Sequence, residues 1–270
     1  MSFLKNAIKQ TLYTLLPKKN GYNDLRVLSG PAKGSILRLD IRVNGSYWIG
    51  NYDQWIFDRM NFHKYIKPGH VVWDCGAYVG YYAAFFRKLT GDKGVVHTFE
   101  ASVSNYKPLS VLPANNKWSN VFIHNLAVGP DHSMLEFVDS LGGSSGPYGL
   151  SKQYKENTAE LSINKVQCCG VDELVFERNI DMPDFIKFDL ESAEEFALHN
   201  GHRVFTEKRP VVFLELHGNI AKDAAGLFLE RYNYKGHIVS EMPDIKHELH
   251  SKNDFDQIDG VPHMILCIPC

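Results

Sequence analysis

The chain has 270 residues, of which 44% are hydrophobic and 12% aromatic. This length and composition suit one large domain or two small ones with a sizeable core, and they exclude an intrinsically disordered chain. With 29 lysines and arginines against 31 aspartates and glutamates, the net charge is −2, so the chain lacks the overall basic charge that is typical of proteins that bind nucleic acid.

Cysteine content and hydropathy indicate the surroundings of the protein. The five cysteines are too few for a disulfide scaffold at this length, so we expect them to be reduced. No stretch approaches the roughly 20 apolar residues needed to span a membrane, and Lys5 and Lys9 interrupt the apolar residues of the first segment. The sequence therefore predicts a soluble, cytoplasmic protein.

The N-terminal part, residues 1–67, is predicted to cover one end of the molecule. Apolar residues at helical spacing predict an amphipathic helix over residues 2–16, which rests either on its own domain or on a membrane or partner surface. Two short apolar runs, 25–28 and 35–41, flank a glycine-rich turn and predict a β-hairpin. A stretch rich in aromatic residues predicts a helix over 52–65.

The remaining residues, 68–270, alternate between strand-like and helix-like segments. Strands are predicted at 71–73, 95–99, 120–125, 184–188, 211–216, 236–239 and 263–268. Helices are predicted at 81–89, 103–112, 194–204 and 222–232. This alternation predicts an α/β fold with a mostly parallel sheet and helices on both faces. A stretch rich in glycine and serine, 140–151, predicts a loop that is either a lid over a site or an ordinary surface loop.

One glycine-containing turn is the strongest functional signal. The segment Asp74-Cys75-Gly76-Ala77-Tyr78-Val79-Gly80 lies between a predicted strand and a predicted helix, where glycines allow a ligand to approach the backbone closely. Glu100 follows the next predicted strand, and a carboxylate at that place can accept hydrogen bonds from both hydroxyls of a ribose. The pattern therefore predicts a nucleoside site, with simple capping of turns by the two acids as the alternative.

Two nucleoside cofactors fit this turn to different degrees. A dinucleotide needs Gly-x-Gly-x-x-Gly, and here Tyr78 and Tyr81 occupy the second and third glycine positions. S-adenosylmethionine (SAM) has no phosphate, and its ammonium group is a suitable partner for Asp74. The pattern therefore favours SAM, with a nicotinamide-dependent oxidoreductase as the alternative.

Several motifs in the same order resemble the FkbM-type SAM-dependent methyltransferases. They are Asp74-Cys75-Gly76-Ala77-Tyr78-Val79-Gly80-Tyr81-Tyr82, Phe99-Glu100-Ala101, Ala127-Val128-Gly129, Val171-Asp172-Glu173-Leu174 and Ile186-Lys187-Phe188-Asp189-Leu190-Glu191-Ser192-Ala193-Glu194. Asn105 and Leu109, followed by Asn115-Asn116, match the family's helix after the acid. The resemblance covers roughly residues 47–215. The sequence departs from the family pattern at Tyr78, Ala101 and Ser192, where the family has Asn, Pro and Gly.

This resemblance implies a fold, a cofactor and a reaction. The fold is a Rossmann-like class I methyltransferase with a seven-stranded, mainly parallel sheet whose last strand, 263–268, runs antiparallel. The cofactor is SAM, and the residues implied to bind it are Asp74, Gly76, Ala77, Tyr78, Gly80, Tyr82, Glu100, Ala101, Asn105 and Ala127. The reaction is methyl transfer to a hydroxyl of a sugar, glycan or natural product, so the expected partner is a small-molecule or glycan acceptor rather than nucleic acid. Residues 1–67 are expected to help close the acceptor pocket.

Alternation along the strand at 184–188 places Lys187, Asp189 and Glu191 on one side, at the end that faces the cofactor. Asp189 is the first candidate to take the proton of an acceptor hydroxyl or to orient the acceptor, and Glu191 is the second. Lys187 balances their charge or binds an acceptor oxygen. The alternative is a structural ion pair that caps the helix predicted at 194–204.

A histidine and a third acid extend this catalytic hypothesis. His217 follows the next strand and is a candidate base near neutral pH, with an ordinary surface residue as the alternative. Asp189, Glu191 and Glu215 can also hold a divalent metal ion that lowers the pKa of the acceptor, although nothing in their spacing demands one. Asp189 and Glu215 are the first candidates for that role. A non-catalytic binding protein with the same fold stays as an alternative to an enzyme.

Overall fold

The computed structural model describes residues 21–139, 146–147 and 162–270, so the predicted helix 2–16 and all but residues 146–147 of the predicted loop 140–151 lie outside the described residues. The strands are β1 (Asn23–Arg26), β2 (Ile36–Leu39), β3 (Val71–Cys75), β4 (Val95–Phe99), β5 (Val121–His124), β6 (Ala127–Val128), β7 (Ser133–Asp139), β8 (Gly146–Pro147), β9 (Ser162–Cys169), β10 (Phe185–Phe188), β11 (Val211–Glu215), β12 (Tyr234–Ile238), β13 (Glu248–Leu249) and β14 (Met264–Pro269). The α-helices are α1 (Gly45–Ile49), α2 (Gln54–Arg59), α3 (Tyr81–Thr90), α4 (Val103–Leu109), α5 (Leu112–Asn116), α6 (Val171–Phe176), α7 (Glu194–His199), α8 (Asn219–Tyr232) and α9 (Lys252–Asp256). Short 3-10 helices at Phe62–Lys64 and Val239–Glu241 and a π-helix at Val204–Lys208 complete the helical segments of these residues.

Eight strands form the central sheet, in the order β13-β12-β14-β11-β10-β3-β4-β5. The strands β11, β10, β3, β4 and β5 pair in parallel, and β14 is antiparallel to both β11 and β12. The predicted α/β class, mostly parallel sheet and antiparallel last strand are therefore confirmed. The predicted count of seven strands is wrong by one, because the two-residue strand β13 adds an edge and is too short to leave a pattern in the sequence.

Helices cover both faces of the parallel strands. Side chains alternate between the faces, so Phe185 packs with α3 on one side while Ile186 and Phe188 pack with α6, α7 and α8 on the other. All four residues of β10 are buried, which is typical of a central parallel strand. The polar residues that follow these strands consequently meet at the carboxyl edge of the sheet.

Residues 21–66 pack on the same face of the sheet as α3. The predicted hairpin is confirmed as the antiparallel pair of β1 and β2, and the predicted helix at 52–65 is present as α2 followed by one 3-10 turn. The rings of Phe62 and Phe85 pack edge to face with their centroids 5.2 Å apart. The Tyr81 hydroxyl donates a hydrogen bond to the Gly50 carbonyl at 3.1 Å. These contacts bring the segment around Gly50 close to the start of α3.

A second sheet, in the order β6-β9-β7-β8, follows the first three parallel strands and was not expected from the sequence. Its longest pairing is antiparallel, between β7 and β9, and runs from Ser133 opposite Cys168 to Asp139 opposite Ser162. Both strands mix polar and apolar residues, as in the SMLEFVD of β7, so the short apolar runs that mark buried strands are missing. This sheet matters for function because β7 contributes side chains to the site.

Candidate functional site

A cavity of about 410 Å³ opens at the carboxyl ends of β3, β4 and β10. Its volume lies in the range of pockets that bind small molecules. It is lined by the turns after these strands, by the segment 43–52 and by β6 and β7. The lining residues are Val43, Asn44, Ser46, Tyr47, Tyr52, Gly76, Tyr78, Phe99, Glu100, Ala101, Asn105, Leu126, Ala127, Val128, Leu135, Phe137, Asp189, Leu190, Glu191 and Ala193.

Gly76 allows the turn after β3 to pass directly beside the turn after β10. Its φ is +82°, and a Cβ atom at this position would lie 1.8 Å from the backbone oxygen of Asp189. The amides of Gly76 and Ala77 also donate hydrogen bonds to the Phe99 carbonyl at 3.0 and 3.2 Å. The glycine is therefore required by the close packing of three strand ends, and these strand ends form the floor of the cavity.

Glu100 is only 6% exposed and holds its carboxylate in the cavity wall. Its Oε2 accepts a hydrogen bond from the Tyr78 amide at 2.8 Å, and its Oε1 accepts one from the Ser102 amide at 2.9 Å. Burial raises the pKa of Glu100 to about 7, although both hydrogen bonds act to lower it. Because each carboxylate oxygen has more than one lone pair, this fixed carboxylate can still accept hydrogen bonds from a ribose.

Tyr78 lines the cavity without filling it. Its φ of +50° lies in the left-handed region, which residues with a side chain seldom adopt. Its hydroxyl accepts a hydrogen bond from Asn44 Nδ2 at 2.8 Å, which links the turn to the segment 43–52. The ring stands where a dinucleotide motif has its second glycine, so this turn does not offer the bare backbone that a diphosphate needs.

Three of the residues predicted to bind the cofactor, Ala77, Gly80 and Tyr82, lie behind the cavity wall rather than in it. Gly80 has a φ of +78°, which residues with a side chain seldom adopt, and a Cβ atom there would lie 2.7 Å from Leu109 Cδ1, so the left-handed backbone and the packing against α4 both favour glycine. Tyr82 is buried, and its hydroxyl donates a hydrogen bond to Asp53 Oδ2 at 3.0 Å. These residues therefore support the site from beneath.

The part of the cavity beyond Glu100 is largely apolar. The predicted cofactor residues Ala101, Asn105 and Ala127 line it together with Leu126, Leu135 and Phe137. An apolar slot next to a carboxylate suits an adenine ring next to its ribose. Leu135 and Phe137 were missed in the sequence because they belong to β7, which was itself not predicted.

Lys187 is a buried ammonium group between two carboxylates. Its Nζ donates a hydrogen bond to Asp189 Oδ2 at 3.0 Å and lies 3.9 Å from Asp74 Oδ1. Burial alone would lower the pKa of Lys187, but Asp189, Asp74 and Glu215 raise it above its ordinary value, so the group is charged. For the carboxyl group of Asp74, burial has the opposite effect and raises the pKa to about 6. Asp74 therefore faces Lys187 and not the cavity, where its partnership with the cofactor was expected.

His217 lies among four carboxylates just after β11. Its Nδ1 is 2.8 Å from Glu194 Oε1, and its Nε2 is 3.5 Å from Glu215 Oε1, 3.9 Å from Glu191 Oε2 and 4.0 Å from Asp189 Oδ1. Burial alone would lower the pKa of His217, but the neighbouring carboxylates, Glu194 first, raise it to about 9. An imidazole with that pKa is protonated near neutral pH, so the structure does not favour the predicted role of His217 as a base.

Glu194 is a site residue to which the sequence assigned no role, although it lies in one of the matching motifs. It is fully buried at the start of α7, and its Oε1 accepts hydrogen bonds from the Leu190 amide at 3.0 Å and from His217 Nδ1. Glu191 and Ser192 lie between Leu190 and Glu194 in the chain, and their φ values are +51° and +84°. One buried carboxylate therefore fixes both the imidazole and the left-handed turn that carries Glu191 into the cavity wall.

Asp189, Glu215 and His217 each offer one possible metal-ligand atom, and these atoms lie within 4.8 Å of one another. The structure thus brings the predicted pair Asp189 and Glu215 together and adds His217, whereas Glu191 is not part of this set. Burial, and after it the charge of Asp189, raises the pKa of Glu215 to about 8. Two carboxylates and an imidazole are a donor set that suits a divalent metal ion.

The segment 43–53 supplies a wall of the cavity from the N-terminal part, in which the sequence singled out no site residue. Tyr47 and Tyr52 stack with their ring centroids 4.0 Å apart, and both line the cavity beside Asn44. The aromatic character of this segment was visible in the sequence. Nothing in the sequence, however, shows which strand end these rings reach after the hairpin has packed on the sheet.

Comparisons with known proteins find one matching family and several similar solved structures. The Methyltransferase FkbM domain family matches residues 74–255. A solved methyltransferase FkbM from Methylobacillus flagellatus KT is similar, with a TM-score of 0.44 and 16% identity, over 99% of this chain and 60% of that chain. Fibrillarin from Aeropyrum pernix, solved with natively bound SAM, is similar with a TM-score of 0.42 and 11% identity, over 76% of this chain and 68% of that chain. A SAM-dependent O-methyltransferase from Thermotoga maritima has a TM-score of 0.39 and 10% identity, over 76% of this chain and 60% of that chain.

Two further facts set the scope of these comparisons. This chain spans 60% of the length of the Methylobacillus protein. A search of the curated proteins finds no match.

The mostly parallel sheet, its antiparallel strand β14 and the cavity at the carboxyl ends of its strands, together with the family match, assign the chain to the class I methyltransferase fold. The family match covers more than half of the residues, so the chain belongs to the FkbM methyltransferase family. The predicted family and fold class are confirmed. The predicted enzyme class, the SAM-dependent methyltransferases, and SAM as the cofactor of that class are confirmed as well. Within residues 21–139, 146–147 and 162–270, no helix is both long and apolar enough to cross a membrane.

Proposed function

We propose that this protein transfers a methyl group from SAM to a hydroxyl of a sugar, glycan or natural product. The observation that carries this proposal is the single cavity that has Glu100 in one part of its wall and Asp189 and Glu191 in another, with Gly76 in its floor. We call the part around Glu100 the cofactor end and the part around Asp189 the acceptor end.

The cofactor end suits the nucleoside of SAM. Glu100 accepts hydrogen bonds from the ribose hydroxyls, and the adenine lies in the apolar slot beside Ala101 and Phe137. Among the described lining residues, the charged ones are Glu100, Asp189 and Glu191, and all three are acids. A cavity with this charge favours a ligand that carries a sulfonium and an ammonium group.

The chemistry at the acceptor end is an in-line displacement. The acceptor oxygen attacks the methyl carbon from the side opposite the sulfur, so that an oxygen–carbon bond forms while the carbon–sulfur bond breaks and its electron pair stays on sulfur. The hydroxyl proton passes to a carboxylate, with Asp189 as the first candidate and Glu191 as the second. Lys187 Nζ donates a hydrogen bond to Asp189 Oδ2 at 3.0 Å and so holds this carboxylate in place at the cavity wall.

Alignment and exclusion of water supply the remaining catalysis. The sulfonium is already an activated methyl donor, so holding the oxygen and the methyl carbon in line contributes several kcal/mol of the roughly 7–11 kcal/mol available from orientation. Charge is neutralised in this transition state, so a cavity with little water favours it. Tyr47 and Tyr52 cover this part of the cavity and make the acceptor end largely aromatic.

Incubation with SAM carrying a labelled methyl group and with pools of glycans and metabolites tests the proposal. The expected result is a labelled product that has gained one methyl group, about 14 Da before the added mass of the label, and whose yield falls strongly with the Asp189→Asn variant. Titration calorimetry with SAM is run beside it. SAM binding without any methylated product would support a non-catalytic binding protein, and no SAM binding would overturn the proposal.

A further inference from the structure

The distances from His217 Nε2 to Glu215 and Asp189 are those of ligands that share one ion rather than those of an ordinary ion pair. A charge-assisted N–H···O hydrogen bond measures about 2.7–2.9 Å, which is the distance from Nδ1 to Glu194. Nε2 is 3.5 Å from Glu215 Oε1 and 4.0 Å from Asp189 Oδ1, which is too long for such bonds. Two ligand atoms that each lie about 2.1 Å from one ion are about 3–4 Å apart, in agreement with these distances.

Glu194 provides an independent indication. It is fully buried, and its Oε1 accepts the Nδ1 hydrogen bond of His217, so its carboxylate faces the imidazole ring. Its other oxygen, Oε2, is buried and has no hydrogen-bond partner among the residues that the structure describes. Histidines that bind metals commonly donate their second ring nitrogen to a carboxylate, which fixes the ring and directs the free nitrogen to the ion. Glu194 therefore turns Nε2 of His217 toward Asp189 and Glu215.

Charge also favours a cation at this place. The four carboxylates around His217 come from three elements: Asp189 and Glu191 follow β10, Glu194 begins α7 and Glu215 ends β11. The cations among them are His217 and Lys187, and Lys187 already pairs with the Oδ2 oxygen of Asp189. His263 also approaches this group, with its Nδ1 3.5 Å from Glu215 Oε1. Asp189 Oδ1 and Glu215 Oε1 stay available to an ion, because neither accepts a hydrogen bond at ordinary distance from His217 or His263.

We propose that Asp189, Glu215 and His217 bind one divalent transition-metal ion next to the cavity, and that Glu194 is the positioning residue of this site. The imidazole ligand favours ions such as Mn²⁺ and Zn²⁺ over Mg²⁺ and Ca²⁺, which prefer sites made only of oxygen atoms. The catalytic use of the ion rests on the proposed function. Because Asp189 lines the cavity, an ion bound there lies beside the acceptor oxygen and lowers the pKa of the acceptor hydroxyl as a Lewis acid.

Binding of Mn²⁺ to the full chain tests this proposal without any assay of methyl transfer. The protein is treated with a chelator, dialysed and titrated with MnCl₂, and free Mn²⁺ is followed by electron paramagnetic resonance. We expect one Mn²⁺ per chain, displaced by Zn²⁺ but not by equimolar Mg²⁺. The proposal is overturned if the protein binds no Mn²⁺ and if calorimetry detects no heat of Zn²⁺ binding.

Three variants and one control locate the ion. His217→Gln and Glu215→Gln remove a ligand, and Glu194→Gln keeps the shape of the positioning residue but removes its charge; each is expected to weaken Mn²⁺ binding about 10–100-fold. The matched control is His247→Gln, because His247 also pairs with a glutamate, Glu241 at 2.6 Å, but on the exposed surface. Mn²⁺ affinity that is equal in all four variants would place the ion elsewhere and overturn the site.

Circular dichroism and SAM titration on the same samples separate folding and the proposed function from metal binding. If Glu215→Gln does not fold, His217→Gln decides the question, because the His217 side chain is partly exposed and a glutamine amide can still donate a hydrogen bond to the buried carboxylate of Glu194. SAM binding without Mn²⁺ binding overturns the metal site and leaves the proposed function standing. Mn²⁺ binding at this site without SAM binding supports the metal site and overturns the proposed function.

Discussion

The cofactor end and the acceptor end of the cavity are built in different ways. At the cofactor end, Gly76, Glu100 and Ala127 come shortly after β3, β4 and β5, and backbone amides hold them: Gly76 donates to the Phe99 carbonyl and Tyr78 to the Glu100 carboxylate. Short local segments and the parallel order of three strands form most of this end, and β7 adds Leu135 and Phe137 from the second sheet.

The acceptor end is assembled from segments that are far apart in the chain. The segment 43–53, the residues 187–194 after β10 and His217 after β11 meet there, and side chains rather than backbone groups hold them together. Glu194, for example, links the turn at 190–192 to an imidazole 23 residues away. The comparison teaches that cofactor binding and acceptor chemistry depend on different parts of the sequence, so substitutions at one end should leave the function of the other largely intact.

The largest effect is expected from breaking the acceptor end alone. Asp189→Asn keeps the size of the side chain but removes the carboxylate proposed to accept the proton, so kcat should fall about 100-fold or more while the Kd for SAM changes less than about threefold. Initial rates and titration calorimetry measure the two quantities. Asp223→Asn on the surface of α8 is the control. Full turnover by Asp189→Asn would remove the residue from the proton transfer.

Breaking the cofactor end should give the reverse pattern. Glu100→Ala removes the acceptor of the ribose hydroxyls, and the loss of two hydrogen bonds to a charged group should weaken SAM binding by about 2 kcal/mol, roughly 30-fold. Calorimetry measures the Kd, and Glu136→Ala, an exposed acid on β7, serves as the control. An unchanged Kd in Glu100→Ala would place the ribose elsewhere.

The pH dependence of SAM binding sharpens the same assignment. The pKa of Glu100 is raised by burial to about 7, and the ribose hydroxyls bind its ionised form. Affinity should therefore rise with pH, about tenfold between pH 6 and pH 8, because the ionised fraction changes about tenfold over that interval. Calorimetric titrations across the range measure this slope. Glu100→Gln should lose it, and a wild-type affinity that is flat or falls with pH would contradict the role of Glu100.

The smallest effect on binding is expected at Asn44, which lines the cavity between the two ends. Asn44→Ala removes the hydrogen bond to the Tyr78 hydroxyl, which contributes about 1 kcal/mol, so the KM for the acceptor should rise about two- to fivefold while the Kd for SAM changes less. Steady-state kinetics with the acceptor found in the labelling experiment measure the KM. An equal change in both constants would show that Asn44 belongs to the cofactor end.

The central sheet followed from the sequence because its strands leave a strong local signal. Segments such as Val95–Phe99 and Val211–Glu215 are short and apolar and are separated by amphipathic helices, which is the pattern of a buried parallel sheet. β7 and β9 left no such signal, since each carries polar and apolar residues side by side, and β13 is only two residues long. Their formation depends on a partner strand, which a local pattern does not contain.

The candidate site followed from the sequence only in part. Gly76, Glu100 and Asp189 were predicted and do line one cavity. Asp74 was expected to contact the cofactor. The register of β3 against β10 instead places it opposite Lys187, so the carboxylate of Asp74 interacts with the Lys187 ammonium inside the sheet. Tyr47 was not expected at all, because its position is decided by how the N-terminal hairpin packs.

The amino-acid sequence by itself determined the family, the alternating fold and the turn that shapes the cofactor end, since each of these is written in residues that are neighbours along the chain. Only the tertiary structure decided which carboxylates reach the cavity, that the imidazole of His217 is surrounded by acids, and that Glu194 holds it there. The physical reason is that the charge state of a side chain depends on burial and on neighbours brought together by packing, and those neighbours are dozens of residues away in the chain.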